Sequence, residues 1–226
     1  MAQLHVTRAD LAAATSMLAS ALTIWGPKHD RALTHVMRYL AKHRSRVIVY
    51  RSAAAVGDTP ALEIWADASF ANELYHGSTL LAKSRTGLLV LAFGALLYAT
   101  SVRQTAVALS TCEAETSAHA LATRVAIPIR LTLVALQCYR LPRPVAIHCD
   151  NTAVLALIKR RHVNSRLRHY RVNIAFVFHA IELGLTTVRY CKTAHMRADF
   201  LTKALPVGAF RANAALVYPD YEYAPL

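Results

Sequence analysis

The sequence predicts an α/β domain, a mixed sheet flanked by helices, with a helical segment ahead of it. Three observations carry this prediction. Apolar residues recur at three-to-four spacing over residues 7–43. From residue 61 the rhythm changes to apolar runs separated by turn residues, a hairpin pattern. Beyond residue 110, strand and helix patterns alternate, an order that packs helices on the faces of a sheet.

The elements follow in order. Leu11, Met17, Leu18 and Leu22 fall near one face of a first helix. Gly26-Pro27 breaks it, and Leu33, Val36, Met37 and Leu40 mark a second. Residues 52–60, Ser-Ala-Ala-Ala-Val-Gly-Asp-Thr-Pro, read as a linker. Ile64-Trp65-Ala66 is a strand, followed by a loop holding Asn72, His76, Gly77 and Ser78. Thr86 to Phe93, a turn at Gly94, and Ala95 to Ser101 form an antiparallel hairpin. A helix starts near Ser110, where Ser110 and Glu113 make an S-x-x-E capping box. A strand at 145–149, a helix at 151–160, a basic loop at 161–168 and a helix at 169–183 ending at Gly184 come next. A strand from Thr187 to Lys192 and a final helix near 195–204 complete the pattern. The expected division is a helical segment at 1–52, a linker at 53–60, the α/β domain at 61–206 and a tail at 207–226.

Bulk composition narrows the function. A chain of 226 residues buries a good core as one domain, or one domain with an appendage. Its 26 basic residues outnumber 13 acidic ones, for a formal charge of +13, which favours a polyanionic partner. Mean hydropathy is +0.28, much of it alanine. The apolar runs Gly87–Ala99 and Ile127–Cys138 are interrupted or too short for a span of about 20 apolar residues, so no membrane partner is expected. Met1-Ala-Gln-Leu-His lacks the layout of a secretory signal. Cys112, Cys138, Cys149 and Cys191 form no C-x-x-C pair and read as buried thiols of a reducing compartment. An intracellular protein is expected.

Within this basic chain four isolated carboxylates stand out: Asp67, Glu115, Asp150 and Asp199. Asp67 ends the run Ala61-Leu-Glu-Ile-Trp-Ala-Asp67, and Asp150 ends Val145-Ala-Ile-His-Cys-Asp150. If these strands are parallel neighbours, both acids lie at carboxyl ends, where functional groups gather in open α/β sheets. Side by side they repel, and divalent cations relieve that repulsion. An oxygen-only ligand set favours magnesium or manganese over zinc. Glu113 and Glu115 differ by about 200° around a helix. With Glu113 engaged in the cap, Glu115 can face the sheet. Read alone, Glu115 would be a solvated surface charge, and Asp199 an early-helix acid complementing the dipole. Lys159-Arg-Arg-His-Val-Asn-Ser-Arg-Leu-Arg-His169 is the densest positive patch and suits phosphates.

Six segments then occur in a telling order: Trp65-Ala-Asp-Ala-Ser-Phe-Ala71, Lys83-Ser-Arg-Thr-Gly87, Gln104-Thr-Ala-Val-Ala-Leu-Ser-Thr-Cys-Glu-Ala-Glu115, Ile147-His-Cys-Asp-Asn151, Asn164-Ser-Arg-Leu-Arg-His169 and Ala198-Asp-Phe-Leu-Thr-Lys203. Together they resemble the ribonuclease H domain of copia-type (LTR) retrotransposon Pol polyproteins. Thr7-Arg-Ala-Asp-Leu-Ala12 and the run His29 to Leu40 resemble the tail of the preceding reverse transcriptase. The resemblance implies a ribonuclease H-like five-stranded mixed sheet, with residues 1–52 a remnant of a thumb or connection region. It implies endonucleolytic hydrolysis of the RNA strand of an RNA–DNA hybrid with two magnesium ions, manganese being an alternative. Asp67 would bridge both ions, and Glu115, Asp150 and Asp199 would complete the shells. Lys83, Arg85, Asn151, Arg160, Arg161, Arg166, Arg168 and His169 would meet the nucleic acid. The rest of a Pol polyprotein or a reverse transcriptase would be a further partner, in a cytoplasmic virus-like particle or the nucleus.

Some positions depart from the family pattern. Ser69 replaces a second acid, Pro128 interrupts the long helix, Met196 replaces a polar residue, and Arg171 replaces an acid. No Asp-Asp pair occurs, so the polymerase motif is missing. His195, four residues before Asp199, could face the site. The competing expectation is a decaying or domesticated nucleic-acid-binding relic without catalysis.

Overall fold

The computed structural model describes residues 7–46, 48, 62–76, 79–136, 143–160 and 170–218. The expected linker at 52–60 and the basic loop at 161–168 lie outside these residues.

Five strands form one mixed sheet: β1 (Leu62–His76), β2 (Thr79–Ala92), β3 (Ala95–Arg103), β4 (Val145–Cys149) and β5 (Thr186–Tyr190). Their order is β3-β2-β1-β4-β5. The β1–β2 and β2–β3 pairs are antiparallel, and the β1–β4 and β4–β5 pairs are parallel. This is the ribonuclease H-like five-stranded sheet that the motifs imply. Phe93 (φ 51°) and Gly94 (φ 77°) close the β2–β3 hairpin. Two successive residues at positive φ match the twist of the strands they join.

One expectation fails at the first hairpin. The chain after Asp67 does not loop out but stays extended to His76, paired with β2 from Thr79. The ladder slips between Ser69 and Glu73 and again between Glu73 and Tyr75. Ala71 (φ 47°) and Ala82 (φ 46°) stand in that irregular stretch. Such bulges absorb extra residues without ending a strand, and so a pattern without clean alternation still forms one.

Helix α1 spans Ala9–Ser20 and α2 spans Pro27–Lys42, with a single turn at Leu22–Ile24 between them. Helix α3 (Thr111–Ala135) crosses one face of the sheet. Ser110 caps it, accepting from the Glu113 amide at 3.2 Å, while Glu113 Oε2 accepts from the Leu109 amide at 2.6 Å. Ala114, Ala118, Ala122 and Ala126 are fully buried at four-residue spacing. That small-residue stripe brings the helix close over Leu62, Ile64, Ala66, Leu88, Val90, Val145 and Ile147. Among the described helices α3 alone is long and apolar enough to cross a membrane, but it also buries Glu113, Glu115, His119 and Arg130 against the domain. The helix continues through Pro128. Pro128 supplies no amide to the Arg124 carbonyl four residues before it, and both residues are exposed.

Helices α4 (Thr152–Arg160) and α5 (Arg171–Glu182) pack on the same side. The opposite face carries a second core, in which Ala9 and Ala12 of α1 meet Trp65, Leu89, Leu91, Leu96 and Ala99 of the sheet. Two further corrections concern this side. The expected helix near 195–204 is a pair of single 3₁₀ turns, Thr193–His195 and Asp199–Leu201. Met196, Ala198, Phe200 and Leu201 are all buried, a spacing that one helical face cannot present. The expected tail contains helix α6 (Val207–Val217), whose Val217 joins that core. The ends are bound together through Asp10. Its carboxylate receives two bonds from Arg8 at 2.9 Å, and others from Arg46 (2.5 Å), Tyr39 (2.9 Å) and Tyr218 (3.2 Å).

Candidate metal centre

The parallel β1–β4 ladder ends at the Trp65–His148 pair. Beyond it β4 stops at Cys149, and Asp150 follows directly. Asp67 lies two residues past the ladder's end, mid-strand rather than at the strand end that the sequence suggests. The gap so opened is filled from above by Glu115, on the buried face of α3. Oxygen atoms of Asp67, Glu115 and Asp150 all lie within 4.8 Å of one another. Asp67 and Glu115 are each 4% exposed, and Asp150 is half-buried. Glu115 is therefore no solvated surface charge.

Burial comes first in shaping these acids. It pushes the Asp67 carboxyl up to about 6, helped by the charges of Asp199 and Asp150 and opposed by a Thr202 hydrogen bond and Lys203. Burial, then Asp67 and Asp150, push Glu115 up to about 9 against a hydrogen bond from the Ala68 backbone. Glu115 Oε2 is buried with no hydrogen-bond partner among the described residues. Three converging acids with one orphaned oxygen, and oxygen donors only, fit a hard divalent cation.

Asp199 stands beside this triad rather than in it. It opens the second 3₁₀ turn, and its Oδ1 is 2.8 Å from Lys203 Nζ. Thr202 Oγ1, from the same turn, donates to Asp67 Oδ2 at 2.5 Å. On the same face of β1, two residues before Asp67, Trp65 stacks on His148 at 3.8 Å with the Arg197 guanidinium 4.7 Å from its ring.

The residues expected to meet nucleic acid divide sharply. Lys83 is partly exposed on β2, and Arg160 is exposed at the end of α4. Arg85 has no exposed surface: its Nη1 donates to Ser16 Oγ at 2.6 Å and Ser101 Oγ at 3.3 Å, tying the sheet to α1 out of reach of any phosphate. Asn151 Oδ1 accepts from the amides of Ala153 (2.9 Å) and Val154 (3.2 Å), capping α4. Arg161, Arg166, Arg168 and His169 lie outside the described residues. His195 is exposed, and Met196 is core. Sequence reasoning passed over Thr202 and Lys203 as site residues, although both stand in the Ala198–Lys203 segment that marked Asp199. It also passed over Gln104, whose Nε2 bridges Thr86 Oγ1 and the Ala114 carbonyl at 2.9 Å each.

No family model matches the chain. Over 214 residues it is 28% identical to the retrovirus-related Pol polyprotein from transposon RE1 of Arabidopsis thaliana, covering 95% of this chain and 14% of that protein. Over 211 residues it is 26% identical to the retrovirus-related Pol polyprotein from transposon TNT 1-94 of Nicotiana tabacum, covering 93% of this chain and 15% of that protein. The chain is similar to retrotransposon Pol polyproteins over most of its own length. It spans a small part of these Pol relatives, 14% and 15% of their lengths. Among solved structures, LC11-RNase H1 in complex with an RNA/DNA hybrid is 14% identical, with a TM-score of 0.43, covering 62% of this chain and 93% of that one. The architecture rests on its own strand order and register, not on that likeness.

Proposed function

We propose that this chain is an endoribonuclease of the ribonuclease H type, which hydrolyses the RNA strand of an RNA–DNA hybrid inside the cell as part of a larger Pol product. One observation carries the reading: Asp67, Glu115 and Asp150 arrive from three separate elements and converge within 4.8 Å. Buried like charges cost several kcal/mol unless a cation joins them, so such a cluster points to a use. Asp67, Glu115 and Asp150, with Asp199 beside them, would hold two magnesium or manganese ions. When bound, such ions supply an activated water and neutralise charge on the leaving 3′ oxygen.

The chain's own residues do the rest. Burial of Asp67 and Glu115 keeps bulk water from diluting their charge. Lys203 neutralises Asp199 while the turn stands as described. Lys83 and Arg160 offer exposed or partly exposed cations to the phosphates, and the 2′-OH of the RNA strand distinguishes it from DNA. Cleavage of a labelled hybrid tests the reading. Magnesium-dependent cutting of the RNA strand should fall by about 10²-fold or more in Asp67→Asn and Asp150→Asn, as expected when electrostatic groups at the reacting centre are removed. Wild-type protein that leaves the hybrid uncut with both magnesium and manganese refutes it. The Asp199–Lys203 ion pair favours a second reading, a non-catalytic nucleic-acid-binding relic. Tight hybrid binding without cleavage is its signature.

A further inference from the structure

We propose that Thr202 is the positioning residue for Asp67, and that Gly87 exists to let it do so. The inference rests on the metal-centre reading above and adds what holds that centre's principal acid in place. An aspartate's terminal torsion is broad and roughly two-fold, so burial alone does not set the plane of its carboxyl group. Thr202 Oγ1 reaches Asp67 Oδ2 at 2.5 Å across 135 residues of chain, and Thr202 has no exposed surface. The same hydroxyl is 3.0 Å from the Asp199 carbonyl. That carbonyl already accepts from the amides of Thr202 (3.1 Å) and Lys203 (3.2 Å). A hydroxyl has one proton, and the closer, charged acceptor claims it. One oxygen of Asp67 is thereby tied, and the carboxyl plane with it.

Sheet register explains how the hydroxyl comes so near. Asp67 pairs across the ladder with Gly87 of β2. The turn carrying Thr202 lies directly on Gly87: a Cβ there would meet Thr202 Cγ2 at 2.7 Å, Leu201 Cβ at 2.8 Å and the Ala198 carbonyl at 3.0 Å. Two of those three atoms belong to rigid parts of the turn, so a methyl at residue 87 lifts it. The threonine methyl fills the space above Gly87, and β-branching leaves its χ1 few alternatives. Hydroxyl and methyl are both in use, one aimed at Asp67 and one seated on the glycine. Lys203, next in the chain, holds Asp199 at 2.8 Å, so one turn orients two acids.

Manganese titration of the metal-free full chain, followed by loss of the free-ion EPR signal, reads this without requiring cleavage. Thr202→Val keeps the shape and removes the hydroxyl, and should weaken manganese binding by about tenfold or more, the usual loss when a ligand's outer partner is removed. Thr202→Ser keeps the hydroxyl and should bind within about threefold of wild type by the same comparison. Gly87→Ala should match the valine variant, because its added methyl displaces the turn that carries Thr202. Wild-type binding by Thr202→Val overturns the proposal, as does wild-type protein that takes up no manganese. If Thr202→Val does not fold, the serine variant decides: near-wild-type binding supports a hydroxyl tether, and a tenfold loss overturns it. Wild-type protein that binds manganese but cuts no hybrid removes the ribonuclease reading and leaves the Thr202 comparison standing.

Discussion

His119 shows how a single buried group sets a pH limit. It is 1% exposed on α3, both ring nitrogens lack hydrogen-bond partners among the described residues, and α4 and α5 close over it with Val154, Leu157, Ile174 and Val177. Burial lowers its pKa to about 4. The ring is therefore neutral in the folded chain, while the unfolded chain takes up a proton near the ordinary histidine value of about 6.5. A depressed histidine pKa means that stability is full above 6.5 and is lost as pH falls from there toward 4. Because the raised carboxyls of Asp67 and Glu115 act in the opposite sense over the same range, the test is a difference: by denaturant titration, wild type should lose on the order of 2–3 kcal/mol relative to His119→Leu across that window. An unchanged slope in the variant contradicts the assignment. Arg85 carries the opposite lesson at this scale. Its place in Lys83-Ser-Arg-Thr-Gly87 made it look like a phosphate contact, because charge is visible in a sequence and burial is not.

Between elements, the joint that matters is Asp10. Its carboxylate collects Arg8, Arg46, Tyr39 and Tyr218, so α1, α2 and the end of α6 meet on one buried charge. Burial alone would raise its pKa, but the Arg8 hydrogen bonds and the charges of Arg8 and Arg46 outweigh that and hold it below the usual range. Removing the acid takes the shared carboxylate away from two buried guanidinium groups. Asp10→Ala should cost about 3–5 kcal/mol, the usual result of breaking a buried pair from one side, seen as a drop in thermal midpoint. A change under about 1 kcal/mol, as for a surface pair, contradicts the joint. Element patterns were legible where one period ruled. The β2–β3 turn with β3, the Ser110 cap, β4 and the helix after Asn151 appear within a few residues of expectation, while β2 starts at Thr79, seven residues before the expected Thr86. The segment 193–204 was not, since its buried residues answer to Gly87 and the second core rather than to a helical face.

At the scale of the whole molecule, the sheet brings together what the chain keeps apart. Asp67 and Asp150 were legible as a pair because parallel strands align their ends, and helix phase separated Glu115 from its capping neighbour Glu113. The tie from Thr202 to Asp67 was not legible, because it depends on a contact spanning 135 residues. Asp199 arrives on the turn whose Thr202 bonds Asp67, held by Lys203 beside the triad. The account therefore turns on whether Asp67, Glu115 and Asp150 act as one cation-binding unit. A crystal structure of the full chain grown with manganese, mapped by anomalous scattering, tests this most directly. The predicted result is a manganese peak bounded by those three carboxylates, absent in Asp150→Asn. Well-ordered carboxylates with no peak between them, or manganese bound only elsewhere, would contradict it.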